Sequence, residues 1–158
     1  MEAAAVFLAV RPRSVVETSR RLRHLGYPHA LVEQVVERLV EMGYLDDEAF
    51  ARAWIESRDR ARPRGEGALR RELALKGVPT ETVAAALGQR FATAAAEDGP
   101  ELEAAMRLLE RRRSSLEREA DERRRRQKAY ALLARNGFDP EVCRLASSSV
   151  LGPAMEAD

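Results

Sequence analysis

Two histidines, two adjacent aspartates and one cysteine are the residues of this 158-residue chain best suited to proton transfer, metal binding or nucleophilic attack, and their spacing supports none of these. His24 and His29 have no nucleophile or acid placed to form a relay, so they read as surface histidines. Asp46 and Asp47 fall at a helix start, where neighbouring side chains diverge, and they read as an N-cap and a favourable charge against the helix dipole. Cys143 stands alone, which excludes an internal disulfide and a CxxC metal knuckle and suggests a small buried apolar residue. No GxxxxGK[ST], GxGxxG, HExxH or GxSxG string occurs. The sequence therefore reads as that of a binding protein without catalytic residues, cofactor or metal.

The chemistry that is present belongs to arginine. The chain has 25 arginines against two lysines, and its net charge of +1 hides a segregation. Residues 11–23, 52–76 and 107–135 carry net +4, +4 and +6, so the remainder carries −13. A planar guanidinium can hold a phosphate or carboxylate with two parallel hydrogen bonds, and a protein so divided offers cationic faces to a polyanion. The candidate contacts are Arg11 and Arg13, then Arg58, Arg62, Arg64, Arg70, Arg71 and Lys76, then Arg123, Arg124, Arg125, Arg126 and Lys128. Any of them could instead be a solvated helix face paired with acids such as Glu117, Glu119 and Glu122. Aromatic residues make up only 5%, leaving little for base stacking.

What must position these side chains is a repeat. Arg11-Pro12-Arg13 recurs as Arg62-Pro63-Arg64, and the same offset matches Arg20 to Arg71, Leu22 to Leu73, Gly26 to Gly77, Pro28 to Pro79, Val32 to Val83 and Val36 to Leu87. A weaker third copy places Arg124, Leu133 and Gly137 on Arg64, Leu73 and Gly77. Repeats of this length with helical composition imply an all-α tandem array. Each copy reads as three helices. Pro12 ends the first, Ser14 and Glu17 form a capping box for the second, and Gly26 closes it. Leu31, Val32, Val35, Val36, Leu39 and Val40 form an apolar stripe on the third, which ends at Gly43.

The second copy starts at Asp46 and continues with helices near 66–76 and from Pro79, with Phe50, Trp54, Val83, Leu87 and Phe91 assigned to the core. The third opens at Pro100, with Leu102, Met106 and Leu109 inward, and its last helix begins at Asp139-Pro140. The expected units are residues 1–43, 44–97 and 98–150, followed by a polar tail, 151–158, with fraying expected from Ser147. Three helices this short cannot bury enough surface alone, so the units are expected to stack into an elongated, curved array of three tandem three-helix repeats. On such a body the arginines at the junction of the first and second helices would form a row able to follow a phosphate backbone. Ala3 to Val10 is too short to span a bilayer, and a single cysteine fits a reducing compartment, so a cytoplasmic monomer is expected. From the residues alone, a DNA- or RNA-binding module and a protein-binding scaffold both stay open.

The segment Gly43-Tyr44-Leu45-Asp46-Asp47-Glu48-Ala49-Phe50-Ala51, continuing to Arg58, resembles the most characteristic stretch of the RecX family. The spacing to Gly65, Leu69-Arg70-Arg71-Glu72-Leu73 and Lys76-Gly77-Val78 is similar to that family, as is Gly137-Phe138-Asp139-Pro140-Glu141 at the end. The resemblance covers nearly the whole chain. It implies a non-catalytic cytoplasmic regulator of three helical repeats that lodges in the groove of the RecA filament on single- or double-stranded DNA, binding DNA only weakly alone. It further implies that filament growth is blocked or disassembly promoted, and that ATP hydrolysis and strand exchange are suppressed.

Overall fold

The computed structural model describes the backbone of residues 1–93 and 99–151 and the side chains of 1–90 and 99–150. Among these residues all regular structure is helical: α1 (Glu2–Val10), α2 (Val15–His24), α3 (His29–Glu41), α4 (Asp47–Ala61), α5 (Glu66–Leu75), α6 (Thr80–Thr93), α7 (Pro100–Glu117), α8 (Glu122–Arg135) and α9 (Pro140–Leu151). The helices group by sequence into three units of three. They pack as two compact bodies, Met1–Trp54 with Arg71–Ala86, and Ile55–Arg70 with the chain from Leu87, so the division falls inside the second unit.

The middle helices α2, α5 and α8 end alike. The N–H groups of Gly26, Gly77 and Gly137 donate to Arg23, Ala74 and Ala134, and those of Tyr27, Val78 and Phe138 reach back to Leu22, Leu73 and Leu133. This is a Schellman turn, and it requires the left-handed φ of +87°, +77° and +82° found at the three glycines. The leucine that accepts the long bond is buried each time, at 4%, 0% and 0% exposure. Burying such a side chain contributes roughly 1.5–3 kcal/mol.

A joint is built on each of two of these turns. At the start of α2, Ser14 and Glu17 form the expected capping box. Ser14 Oγ also donates to the Lys76 carbonyl at 2.5 Å, and the Val15 N–H donates to Asp47 Oδ1 at 2.9 Å. The Val16 side chain fills the space beside Gly77. Fifty-one residues later the pattern returns in the other body. The Glu66 N–H donates to Glu101 Oε1 at 2.9 Å, and the Gly65 and Gly67 N–H groups donate to the Asn136 and Gly137 carbonyls at 3.0 and 3.2 Å. In both joints a carboxylate from the first turn of the following unit satisfies a helix-start amide of the preceding one, where such donors lack intrahelical partners. Asp47 is thus a clamp as well as a dipole charge; desolvation pushes its pKa up against the hydrogen bond from Val15. Asp46 caps α4 as expected, accepting from the Ala49 N–H.

The first joint is closed by charge. Glu17 accepts from Arg11 at 2.9 Å and from Lys76 at 3.0 Å, and its side chain is 14% exposed. Burial alone would raise its pKa, but the hydrogen bonds from Arg11, Lys76 and the Ser14 N–H outweigh it and hold the carboxyl at about 2. Lys76 Nζ lies 5.1 Å from the centre of the Trp54 ring, whose Nε1 donates to Glu72.

Several core assignments need correction. Trp54 is only half-buried, because it roofs Lys76 instead of entering the core, whereas Phe50 is buried at 5%. Leu31 and Val40 are 44% and 46% exposed, so the buried line on α3 narrows to Val32, Val36 and Leu39. The helix continues past Ser147 to Leu151, with Ser147 and Val150 buried, so the expected fraying from Ser147 does not hold to that point. His29 has an acidic neighbour after all, Glu33 at 3.2 Å on an exposed face. Val83, Leu87, Leu102 and Leu109 are buried as expected and Met106 partly so. The Phe91 side chain and residues 152–158 lie outside the described residues.

Two substitutions test the joints. A Cβ on Gly65 would run into the Gly137 carbonyl, whereas one on Gly26 meets open space and carries only the cost of its positive φ. Gly65→Ala is expected to cost about 3 kcal/mol and Gly26→Ala about 1 kcal/mol. Equal losses in urea denaturation would count against the joint. Since the folded pKa of Glu17 lies below its ordinary 4.5, its stabilisation is present above that value and is lost as pH falls towards about 2. Glu17→Gln should lower stability by about 2 kcal/mol at pH 7, with the difference from wild type vanishing near pH 2; a pH-independent difference would refute the charge argument.

Candidate functional site

The structure sorts the cationic residues by what holds them. In the first body Arg11 and Lys76 are tied to Glu17. Arg13 lies over the Phe7 ring, its guanidinium carbon 4.1 Å from the centroid, and desolvation lowers its pKa. Arg71 is exposed and has no ion pair among the described residues. Arg11 and Lys76 are therefore structural first, and the loss of either would disturb the joint, while Arg13 packs on Phe7 within the first unit.

In the second body Arg58 is half-buried, and Arg70 pairs with Glu66 one turn earlier at 2.6 Å. Arg126 pairs with Glu122 and Lys128 with Glu119. Arg125 Nε donates to the Glu119 carbonyl at 2.9 Å, bracing the turn between α7 and α8. Exposed Arg123 and Arg124 have no ion pair among the described residues. The nominal charge run thus resolves into three engaged cations and two available ones. Each of these pairs has one partner open to solvent, where an ion pair is worth roughly 0–1 kcal/mol, so an incoming anion can compete with the acid.

The Arg62-Pro63-Arg64 motif makes a defined feature. Pro63 is fully buried and anchors the turn after α4. Arg62 and Arg64 then line a cleft of about 500 Å³ together with Arg111 and Arg112 of α7 and Asn136 at the end of α8. Arg64 NH1 donates to Asn136 Oδ1 at 2.5 Å. Arg111 donates to the Ala61 and Arg60 carbonyls, both at 2.6 Å, and so caps the C-terminus of α4. Arg62 and Arg112 are exposed and without an ion pair among the described residues, and no carboxylate lines the cleft.

Sequence reasoning did not single out Arg111 and Arg112, although their place in the most basic third of the chain was a signal. It also missed Arg90, whose Nε and NH2 hold Asp59 at 3.0 and 2.7 Å with the arginine side chain only 5% exposed. Nothing in the local sequence distinguishes that arginine from a surface one. Among the described residues no group of histidine, cysteine and acidic side chains could hold a metal ion, and no helix is long and apolar enough to cross a membrane.

Comparison with known proteins agrees with this architecture. Residues 1–39, 46–87 and 100–146 match the family models described as the first, second and third three-helix domains of RecX. A regulatory protein RecX of Chlorobium limicola is 35% identical over 162 residues, covering 99% of this chain and 96% of that protein. One of Mycobacterium sp. (strain JLS) is 37% identical over 138 residues, covering 85% of this chain and 72% of that protein. The crystal structure of RecX from Lactobacillus salivarius superposes with a TM-score of 0.79 at 17% identity, covering 94% of this chain and 92% of that one, which supports the fold. With all three domain models matched in order and a relative aligned along almost its full length, the chain belongs to the RecX family of regulatory proteins.

Proposed function

We propose that this protein regulates a RecA-type recombinase by binding its filament on DNA, slowing filament extension and with it ATP hydrolysis and strand exchange. Membership of a family of regulatory proteins supports a role exercised by binding, without catalysis, by a cytoplasmic monomer. The observation that carries the nucleic-acid side of this reading is that Arg62, Arg71, Arg112, Arg123 and Arg124 have no ion pair among the described residues. Available guanidinium groups suit the phosphates of filament DNA or carboxylates on the recombinase surface. Arg11, Arg64 and Lys76 stand behind them at the joints between units, and Arg13 packs on Phe7 within the first.

The test is the ATPase of the cognate recombinase on single-stranded DNA, titrated with this protein. We expect the rate to fall with increasing protein. Arg62→Glu and Arg123→Glu should each raise the half-inhibitory concentration several-fold, without lowering thermal stability. No inhibition by the wild-type chain, or inhibition unaffected by both reversals, would overturn the proposal. Affinity for bare strand, bare duplex and recombinase-coated strand at one salt concentration separates the filament reading from that of a plain DNA- or RNA-binding module, which requires preference for the bare nucleic acid.

A further inference from the structure

The cleft at the turn after α4 differs in kind from the exposed arginines around it, because it is a recess and not a face. Four guanidinium groups border a volume of about 500 Å³, within the ~300–1,000 Å³ of ordinary ligand sites. Concentrating four positive charges without a carboxylate costs self-repulsion, which a bound anion would relieve. The four are not equivalent. Arg111 is committed to the α4 carbonyls and Arg64 to Asn136, which fixes both in place. Arg62 and Arg112 are left to close on a ligand. The remaining wall is apolar, with Leu108 and Leu132 only partly buried against the core and facing the same space.

A phosphate among guanidiniums beside an apolar wall is the chemistry of one nucleotide of an unstacked strand, its phosphate gripped by arginine forks and its base laid against aliphatic or guanidinium surface. A duplex cannot present this, since its bases stay stacked inside and its phosphates lie on a convex surface. We infer that the cleft lined by Arg62, Arg64, Arg111 and Arg112 is a binding site for a single nucleotide unit of single-stranded nucleic acid. Arg62 and Arg112 are its mobile clamp, and Leu108 and Leu132 are its base-facing wall. The inference rests on the nucleic-acid side of the function proposed above and adds strand selectivity and a named site.

The test needs no recombinase, so its failure is distinct from failure of the filament reading. A short fluorescent DNA strand is titrated with the full chain by anisotropy over a salt series, alongside the same strand with abasic sites and its duplex. The strand should bind at least several-fold tighter than either. Arg62→Ala/Arg112→Ala should weaken strand binding about ten-fold and reduce the salt slope by roughly 0.7, for the one phosphate no longer neutralised. The control is Arg107→Ala/Arg113→Ala, which removes the same charge from exposed α7 residues already paired with Glu103, Glu110 and Glu117. It should change affinity by less than about two-fold. An equal loss in both double variants, tighter binding of duplex, or displacement of the strand by polyglutamate at lower concentration than by unlabelled strand would overturn the assignment.

Discussion

A carboxylate from one unit caps a helix-start amide of the unit before it, and the rest of the fold depends on that interaction being made twice. Asp47 on Val15 and Glu101 on Glu66 each satisfy a donor that the helix cannot satisfy itself. A buried backbone group without a partner costs roughly 1–3 kcal/mol, a large share of the stability of a domain this size. The joint also explains why the compact bodies do not coincide with the sequence repeats. Each body holds one complete joint, in which the start of one middle helix lies against the closing turn of the next.

This division of labour sets which cations are available. The Glu17 cluster and the Arg90–Asp59 pair are buried enough that losing one partner would strand a charge, so these arginines belong to the fold. The one-turn pairs, such as Arg38 with Glu41 and Arg113 with Glu110, lie largely in solvent and contribute little. An anion binding near them loses little by displacing the acid. Arg62, Arg71, Arg112, Arg123 and Arg124 require no displacement at all, which places them first among candidate contacts.

The helices and their ends were legible because their signals are local. Pro12, Ser14 with Glu17, Gly26, Gly43 and Pro100 each act within one turn of chain, and the apolar matches between copies identified Leu22, Leu73 and Leu133 as equivalent. The joints were not legible, because Asp47 reads the same whether it faces its own dipole or an amide of another unit. The core was overdrawn for a related reason. An apolar stripe names the buried face of α3 but not its width, and Leu31 and Val40 at its edges stay exposed. Size and apolarity point Trp54 to the core, while its ring is occupied by Lys76, a residue 22 positions away. The individual roles of the arginines depend on partners at separations such as 31 residues for Arg90 and 72 for Arg64, which no spacing rule anticipates.

The third middle helix begins without this cap. Among the described residues no carboxylate of another unit reaches the start of α8, and its own Asp121 accepts from the Arg124 N–H at 2.9 Å. Four consecutive arginines follow Glu122 and the first three complete the first turn of that helix, at the positive end of its dipole, where cations are disfavoured by roughly 0.3–1 kcal/mol each. Glu122 and Glu119 offset part of this, engaging Arg125, Arg126 and Lys128 and leaving Arg123 and Arg124 exposed. Arginine favours helix, but the dipole argues against such a run at a helix start if folding were the only demand on it. A ligand that brings negative charge to this end would be stabilised by the dipole and the arginines together, so the arrangement that is poor for the free helix is favourable for an anion-bound one.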